Sequence, residues 1–461
     1  MSSATAELTE AITAGAPRSF FSAFTPPETM RAAALLRSEA AGFAGLASED
    51  KDPRKSLHVM EVPVPRPGPG EALVAVLAAG LNHNTVWSSR FEPDSGFTYL
   101  DRLALQGGSA ARHALDYHIL GSDAAGVVVE LGEGPSRFQP GDHVTICPTY
   151  LENPGMSQVD DTMADPGLRA WGFETNFGAL AEFALVKVVQ LLPKPRHLTW
   201  EEAASLQLVS ATCYRMLVGT HGAQMRQGDI VLVWGAAGGL GCMAAQYVRH
   251  GGGVPVCVVS SPQKKAVLHA AGYEAVIDRA AEGYQFLDNG VTDVKECGRF
   301  RRRIRQLAGE DPDIVFEHTG RQTFPASVFV PKKSGRVVTC ASTSGYQHTY
   351  DNRFLWMNLR RIIGSHGGTY EESLLASRLS CRGLIHPTLS RTVELSDVAE
   401  AVAQMHRGEH LGKIGVLSLA GRPGLGVTDE ATRVRLIGDI TRFQTAVASV
   451  ASGTAPAGAA T

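Results

Sequence analysis

The stretch DIVLVWGAAGGLGCMAAQYV, residues 229–248, decides the fold. A short apolar run ends in glycines and passes straight into a helix-forming run. Gly235, Gly238 and Gly241 are spaced for a tight turn, for close approach of a pyrophosphate and for close packing of helix on strand. Gly239 and Leu240 lie at the helix amino end, where free N–H groups and the helix dipole attract phosphate. A glycine turn without a ligand is the plainer alternative, and the surroundings weigh against it. Further short apolar runs follow: VPVCVVS (254–260), EAVID (274–278), DIVFEHT (313–319), GRVVTCAST (335–343) and RIIGS (361–365), several of them separated by helical stretches. That alternation predicts an α/β chain with a doubly wound parallel sheet that binds a dinucleotide.

The second strand names the dinucleotide. An NAD site carries Asp or Glu there, about 20 residues past the turn, for the ribose 2′-hydroxyl. Here Ser260 and Ser261 stand in that place, followed by Lys264 and Lys265. Hydroxyls and ammonium groups suit a 2′-phosphate, so the expected cofactor is NADPH. The alternative use of the lysines is a solvated helix start.

The 461 residues exceed what one core usually supports, so two domains are expected. Residues 1–55, with ETMRAAALLRSEAAGF (28–43), read as a helical extension. Residues 56–204 alternate apolar and polar around Pro-Gly turns and read as strands, until LTWEEAASL (198–206) opens a helix at a Thr199 cap. Residues 205–365 form the dinucleotide domain, 366–440 return to the first domain, and 441–461 read as a low-complexity, flexible tail. A net charge of −3 offers no field for nucleic acid. No apolar run approaches the roughly 20 residues of a membrane span. The amino terminus lacks the basic start and apolar core of a signal peptide. Seven cysteines without a CxxC pair fit a reduced, cytoplasmic chain.

An early strand-rich region, an inserted dinucleotide domain and a return near residue 366 resemble the medium-chain dehydrogenase/reductase superfamily. Its zinc-dependent members carry a Cys near the end of an early strand and a Gly-His-Glu motif. GLNHNT (80–85) and GSD (121–123) stand here instead, with Asn82 or its neighbours and Ser122 at the ligand positions. There is no four-cysteine structural cluster either. The expectation is metal-free hydride transfer, with His83 and His143 structural.

Within that superfamily the chain is similar to the crotonyl-CoA carboxylase/reductases. The similarity runs through NTVWSSRFEP (84–93), WGFETNFG (171–178), PKPRHLTWEEAA (193–204), VVSSPQKK (258–265), FEHTGRQTF (316–324), CASTSGYQHTYDNRFLWM (340–357) and RIIGSH (361–366). It implies a Rossmann domain inserted in a mostly β GroES-like catalytic domain. It implies NADPH, a 2-enoyl-CoA and CO2 as reactants, an alkylmalonyl-CoA product and a homotetramer built as a dimer of dimers.

It also implies Asn84, Phe173, Glu174 and His366 around CO2, and the chemistry agrees. Hydride addition at Cβ leaves an enolate at Cα, which must meet CO2 before a proton. CO2 offers only acceptors, so the Asn84 amide N–H suits one oxygen. A carboxylate cannot donate, but Glu174 paired with His366 can orient a water toward the other oxygen. Phe173 narrows the pocket and contributes its backbone N–H. The bland alternatives are a Glu174 satisfied by nearby backbone N–H groups and a His366 in the core.

Lys333 and Arg353 lie in or beside matched segments and are expected to receive CoA phosphates. RFRRRIRQ (299–306) reads as a solvated helix face. Two departures from the family stand out. Gly367 and Gly368 follow His366 where many relatives have a bulky aromatic. That opens room for methylenes worth about 0.8 kcal/mol each when buried. It predicts a medium-chain substrate of six to ten carbons, lined by Gly367, and a product of the kind polyketide synthases use as extender. LVSATCYR (208–215) departs through Ser210, Ala211 and Cys213. Competing readings are an NADPH-dependent enoyl-CoA or quinone reductase without carboxylation, and a nucleotide-binding protein that has lost catalysis.

Overall fold

The strand before the glycine turn, Ile230–Val233, lies inside a six-stranded sheet. The order is Val276–Asp278, Val254–Val259, Ile230–Val233, Ile314–Glu317, Arg336–Thr339 and Arg361–Gly364. Every neighbouring pair is parallel. All six expected strands are present. Ile230–Val233 and Ile314–Glu317 are buried throughout, which is why they read as unbroken apolar runs. The order reverses between these two strands, and ligands of such sheets bind beyond the carboxyl ends at that point.

The computed structural model describes residues 3–152 and 154–454. They form two compact units. One takes the described residues up to Leu208, with Thr369–Arg382 and Arg391–Ile437; the other takes Val209–Gly368, Gly383–Ser390 and the described residues from Gly438 onward. In the second unit an aromatic core lies under the sheet: Trp234 stacks on Phe300 with centroids 5.2 Å apart. Helix Val294–Ala308 supplies Cys297, Phe300 and Ile304 to it. The arginines of that helix lie outside the core, where Arg301 and Arg305 both clamp Asp311.

The first unit is built on strand Glu71–Gly80, every residue of which is buried. It pairs antiparallel with Ala124–Leu131, Phe183–Lys187 and Lys413–Leu417. The predicted cap is present: helix Trp200–Ala204 carries a reciprocal Thr199/Glu202 capping box. Among the described residues no helix is long and apolar enough to cross a membrane.

Two expectations need correction. Helices Ser3–Ala14 and Arg18–Ala23 form the amino-terminal extension, but Thr29–Leu36 inside the expected helical run is a strand. It pairs antiparallel with Leu57–Pro63 and with Tyr117–Ile119, and Glu182 binds Arg31 at both backbone N and Nε. Tertiary pairing overrides the helix preference of its alanines. In the expected flexible tail, Arg442–Ala451 is a helix that buries Phe443 and Ala446 and packs on helix Pro262–Ala270. Its apolar residues Phe443, Ala446, Val447 and Val450 hold a helical period that the alanine-rich composition masks. Residues 455–461 lie outside the described part.

Candidate active site

In the dinucleotide unit, Gly235 adopts φ +56°, a conformation that glycine tolerates best. A Cβ on Gly241 would stand 2.3 Å from Gly235 O, so only hydrogen lets the helix close on the turn. Gly238 caps helix Gly239–His250, and Leu240 O accepts from Cys213 Sγ at 3.4 Å. Ser261 caps the next helix, Pro262–Ala270, accepting from Lys264 N at 3.3 Å. Lys264 Nζ reaches back to Ser260 Oγ at 3.4 Å, and burial lowers the ammonium's pKa. No carboxylate ends this strand. The cradle and its cations fit a dinucleotide with a 2′-phosphate.

Two residues that the sequence reading passed over join this site. Parallel pairing of Val259 with Asp278 sets Arg279 beside Ser260. Burial lowers the Arg279 pKa against the pull of Glu317. His318 follows the fourth strand, donates from Nε2 to Trp234 O at 2.8 Å, and its ring fills the space where a Gly235 Cβ would point. Burial lowers its pKa to about 4, so it is neutral. The readable signal for both was position: each directly follows an apolar strand at the ligand end of the sheet.

In the other unit, Asn84 lies in helix His83–Ser89, and its Nδ2 donates to Ser122 Oγ at 2.8 Å. Its buried Oδ1 has no partner. A hydroxyl can donate or accept, so Ser122 supports the amide in either orientation. With Ser122 donating to Oδ1, both amide hydrogens face the unpartnered side.

Two residues away, Asn82 is fixed. Its Nδ2 donates to Asp123 Oδ2 at 2.9 Å and to Gly80 O, while Oδ1 accepts from Lys413 Nζ at 2.6 Å. Lys413 Nζ also donates to Leu81 O at 2.7 Å and Asp123 Oδ2 at 3.0 Å. Lys413 is 2 % exposed and Asp123 0 %. Burial lowers the lysine pKa and Asp123 opposes it. Among the described residues no three His, Cys, Asp or Glu side chains converge as a metal site.

The turn bearing Phe173 and Glu174 sits directly on the backbone before Ser122. Cβ atoms on Gly172 and Gly178 would stand 1.9 Å and 2.6 Å from Gly121 O. Asn176 clamps the turn: its Oδ1 accepts from Ile119 N and Phe177 N, and its Nδ2 donates to Tyr117 O at 2.7 Å. His118 Nε2 donates to Thr175 O, and His113 Nδ1 accepts from Asn176 N. Burial lowers both histidines to about 4.

Glu174 Oε2 accepts from Ala170 N at 2.7 Å, so half of the carboxylate serves the turn, as the bland alternative has it. Its other oxygen is open. Phe173 N donates to Ala170 O at 3.3 Å, and its ring tilts against Tyr99 at 5.9 Å. Burial and the charges of Asp94 and Glu174 raise the Tyr99 phenol.

His366 belongs to the dinucleotide unit and is exposed just past strand Arg361–Gly364. Gly367 adopts φ +50°. A Cβ on Gly368 would stand 3.0 Å from Ala211 O, so that glycine serves close backbone packing and leaves no open space. Lys333 is exposed in the turn entering Arg336–Thr339 at its amino end, away from the glycine turn. Arg353 is exposed and closes on Asp351, with Nη2–Oδ2 at 2.6 Å.

Both halves of this arrangement have known counterparts. Residues 68–196 match the alcohol dehydrogenase GroES-like domain, and residues 239–380 the zinc-binding dehydrogenase family. The chain is 55% identical over 426 residues to the crotonyl-CoA reductase of Streptomyces collinus, covering 92% of this chain and 95% of that protein. It is 35% identical over 391 residues to the crotonyl-CoA carboxylase/reductase of Cereibacter sphaeroides, covering 81% and 86%. It superposes with a TM-score of 0.90 on the 2-octenoyl-CoA carboxylase reductase CinF in complex with NADP and 2-octenoyl-CoA, at 48% identity, covering 95% of this chain and 98% of that one. The chain belongs to the crotonyl-CoA carboxylase/reductase family of the medium-chain dehydrogenase/reductase superfamily.

Proposed function

We propose that this protein carries out NADPH-dependent reductive carboxylation of a medium-chain 2-enoyl-CoA, giving an alkylmalonyl-CoA. One observation carries the reading: an Asn84 amide held by Ser122 on one side and unpartnered on the other. NADPH, when bound, supplies hydride for the substrate Cβ. The residues of the chain govern what the resulting enolate meets. With the Asn84 amide turned so that Ser122 donates to its Oδ1, its N–H groups face one CO2 oxygen. The open oxygen of Glu174 orients a water toward the other, with His366 as its partner, and Phe173 walls the pocket. These dipoles also stabilise the carboxylate charge as it develops.

Equally important is what the turn lacks. His113 and His118 are neutral, and the Tyr99 phenol is a weaker acid than usual. None of the three offers a ready proton to quench the carbanion.

A substrate of six to ten carbons is supported by Gly367 and by likeness to the octenoyl-CoA enzyme. Gly368 adds nothing to it. The product class suits extender units for polyketide synthesis. Exposed Lys333 and Arg353 are proposed for the CoA phosphates. A cytoplasmic homotetramer, a dimer of dimers, completes the proposal; seven free cysteines support a reducing compartment.

The test is mass analysis of products from C4 to C10 2-enoyl-CoAs with NADPH and labelled bicarbonate. Label in the acyl product, greatest at six to ten carbons, is expected. Saturated acyl-CoA alone with every substrate would leave a plain reductase.

A further inference from the structure

We propose that Lys413 is a positioning residue for carboxylation: its buried ammonium ties together the two backbone segments that carry Asn84 and Ser122. The inference rests on the reading of Asn84 as a CO2 ligand.

Three stretches far apart in sequence meet at one nitrogen. Residues 81–82 supply Leu81 O and Asn82 Oδ1, residue 123 supplies Oδ2, and Lys413 comes from the strand Lys413–Leu417. Asn84 lies two residues beyond Asn82, and Ser122 is next to Asp123. An error in the spacing of the first two stretches therefore passes straight into the Asn84–Ser122 hydrogen bond. Asp123 Oδ1 in addition accepts from Leu208 N at 2.8 Å, so it is held from a fourth direction.

The donors and acceptors leave no freedom here. An ammonium only donates and a carboxylate only accepts, so the Asn82 amide has one possible orientation. Asn84 differs because its partner is a hydroxyl. The network thus pairs one amide locked in place with one able to turn outward, two residues apart on the same segment.

A stability role alone explains this poorly. Buried ion pairs are often no more stabilising than apolar residues of like size, and their better-attested use is to fix one geometry. Asn82 of this cluster stands at or beside one position where zinc-dependent members of the superfamily keep a ligand, and Asp123 is next to Ser122 at another. A charge supplied by the chain stands there.

The experiment uses the full-length enzyme with 2-octenoyl-CoA, NADPH and labelled bicarbonate. The variants are Lys413→Met/Asp123→Asn, Asp123→Asn and Asn84→Ala. The double variant removes charge from both partners, so neither is left buried and unpaired. Asp123→Asn keeps the volume and an acceptor for Leu208 N. Thermal unfolding reports on the fold, and mass analysis reports the ratio of carboxylated to merely reduced product.

The expected result is a double variant that still oxidises NADPH but whose product ratio falls at least tenfold, with a higher KM for bicarbonate and a smaller fall for Asp123→Asn. A purely structural role would lower both products together and leave the ratio alone. If the double variant does not fold, Asp123→Asn decides by the same ratio. An unchanged ratio in a folded variant, while Asn84→Ala changes it, overturns the role of Lys413. An unchanged ratio in Asn84→Ala removes the premise instead.

Discussion

Replacing Gly172 with alanine should perturb the turn that carries Phe173 and Glu174, proposed for CO2, through a single methyl group. Gly172 has φ +66°. A Cβ there would stand 1.9 Å from Gly121 O, 2.7 Å from Gly121 C and 3.1 Å from Gly178 Cα. Reaching the 3.4 Å of ordinary contact with the carbonyl requires a displacement of about 1.5 Å. Gly178 is itself closely seated, since a Cβ on it would stand 2.5 Å from Leu120 O, which leaves it little room to move. The movement therefore falls on the Phe173–Glu174 turn or on the Gly121–Ser122 backbone that supports Asn84. A misplacement of about 1 Å costs roughly 100-fold in a positioned reaction, so carboxylation should fall by about that factor or more. The positive φ adds about 1–2 kcal/mol of destabilisation, visible as a lower Tm. NADPH oxidation should persist, because the glycine cradle belongs to the other unit. The assay is the ratio of labelled alkylmalonyl-CoA to saturated acyl-CoA. A folded Gly172→Ala enzyme with the parent's ratio would refute the claim that this turn places a group against CO2.

Glu174→Gln should keep the turn, since Gln Oε1 still accepts from Ala170 N, yet lose the charge and the open acceptor. Carboxylation should fall about 100- to 1,000-fold with Tm unchanged and saturated acyl-CoA rising, as for loss of an oxyanion donor. Lys264→Ala should raise the KM for NADPH about tenfold or more, leave kcat at saturating NADPH nearly intact and narrow the preference over NADH; initial rates with both cofactors measure it. Acid should unfold the protein early. His113, His118, His143 and His318 are lowered by burial from 6.5 to about 4 each. A depressed folded pKa means stability fully present above 6.5 and lost as pH falls toward 4, on the order of 3 kcal/mol per group at most. Denaturant melts across pH 7 to 4 should show a steep decline, shallower in His143→Gln.

The dinucleotide half was legible because its signals are local. A buried parallel strand is written as an apolar run, and the glycines, Ser260 and Lys264 follow within one strand–helix–strand unit. Gly368 looked like vacated space, but the close approach of Ala211 is a contact across more than 150 residues that no local pattern records. Thr29–Leu36 misled for a related reason: its alanines favour helix, and only the partners Leu57–Pro63 and Tyr117–Ile119 make it a strand. Asn84 and Glu174 could be singled out by resemblance. Their supports, Ser122 and the Gly121 carbonyl, lie about 40 to 50 residues away and surface only with the fold. Lys413 in GKIGVL carries no mark at all; a lone lysine before an apolar strand usually reads as a surface charge.

The lysine bears on the chemistry as a whole. A site that makes an enolate and must deliver it to CO2 gains from positive potential and loses from any acidic proton nearby. A zinc-bound water has a pKa near 7 and would be such a proton source. An ammonium supplies charge too, and here its N–H bonds point at Leu81 O, Asn82 Oδ1 and Asp123 Oδ2. Those protons are committed to acceptors inside the protein. The neutral His113 and His118 under the neighbouring turn follow the same rule: burial keeps the imidazoles from charging, so neither becomes an acid near neutral pH. With Asn82 and Ser122 at or beside positions where zinc-dependent relatives keep ligands, and Lys413 paired to Asp123 next to them, the chain places a charge there whose N–H groups are bound to protein acceptors. That is the condition under which CO2, a weak electrophile, can compete with water for a carbanion.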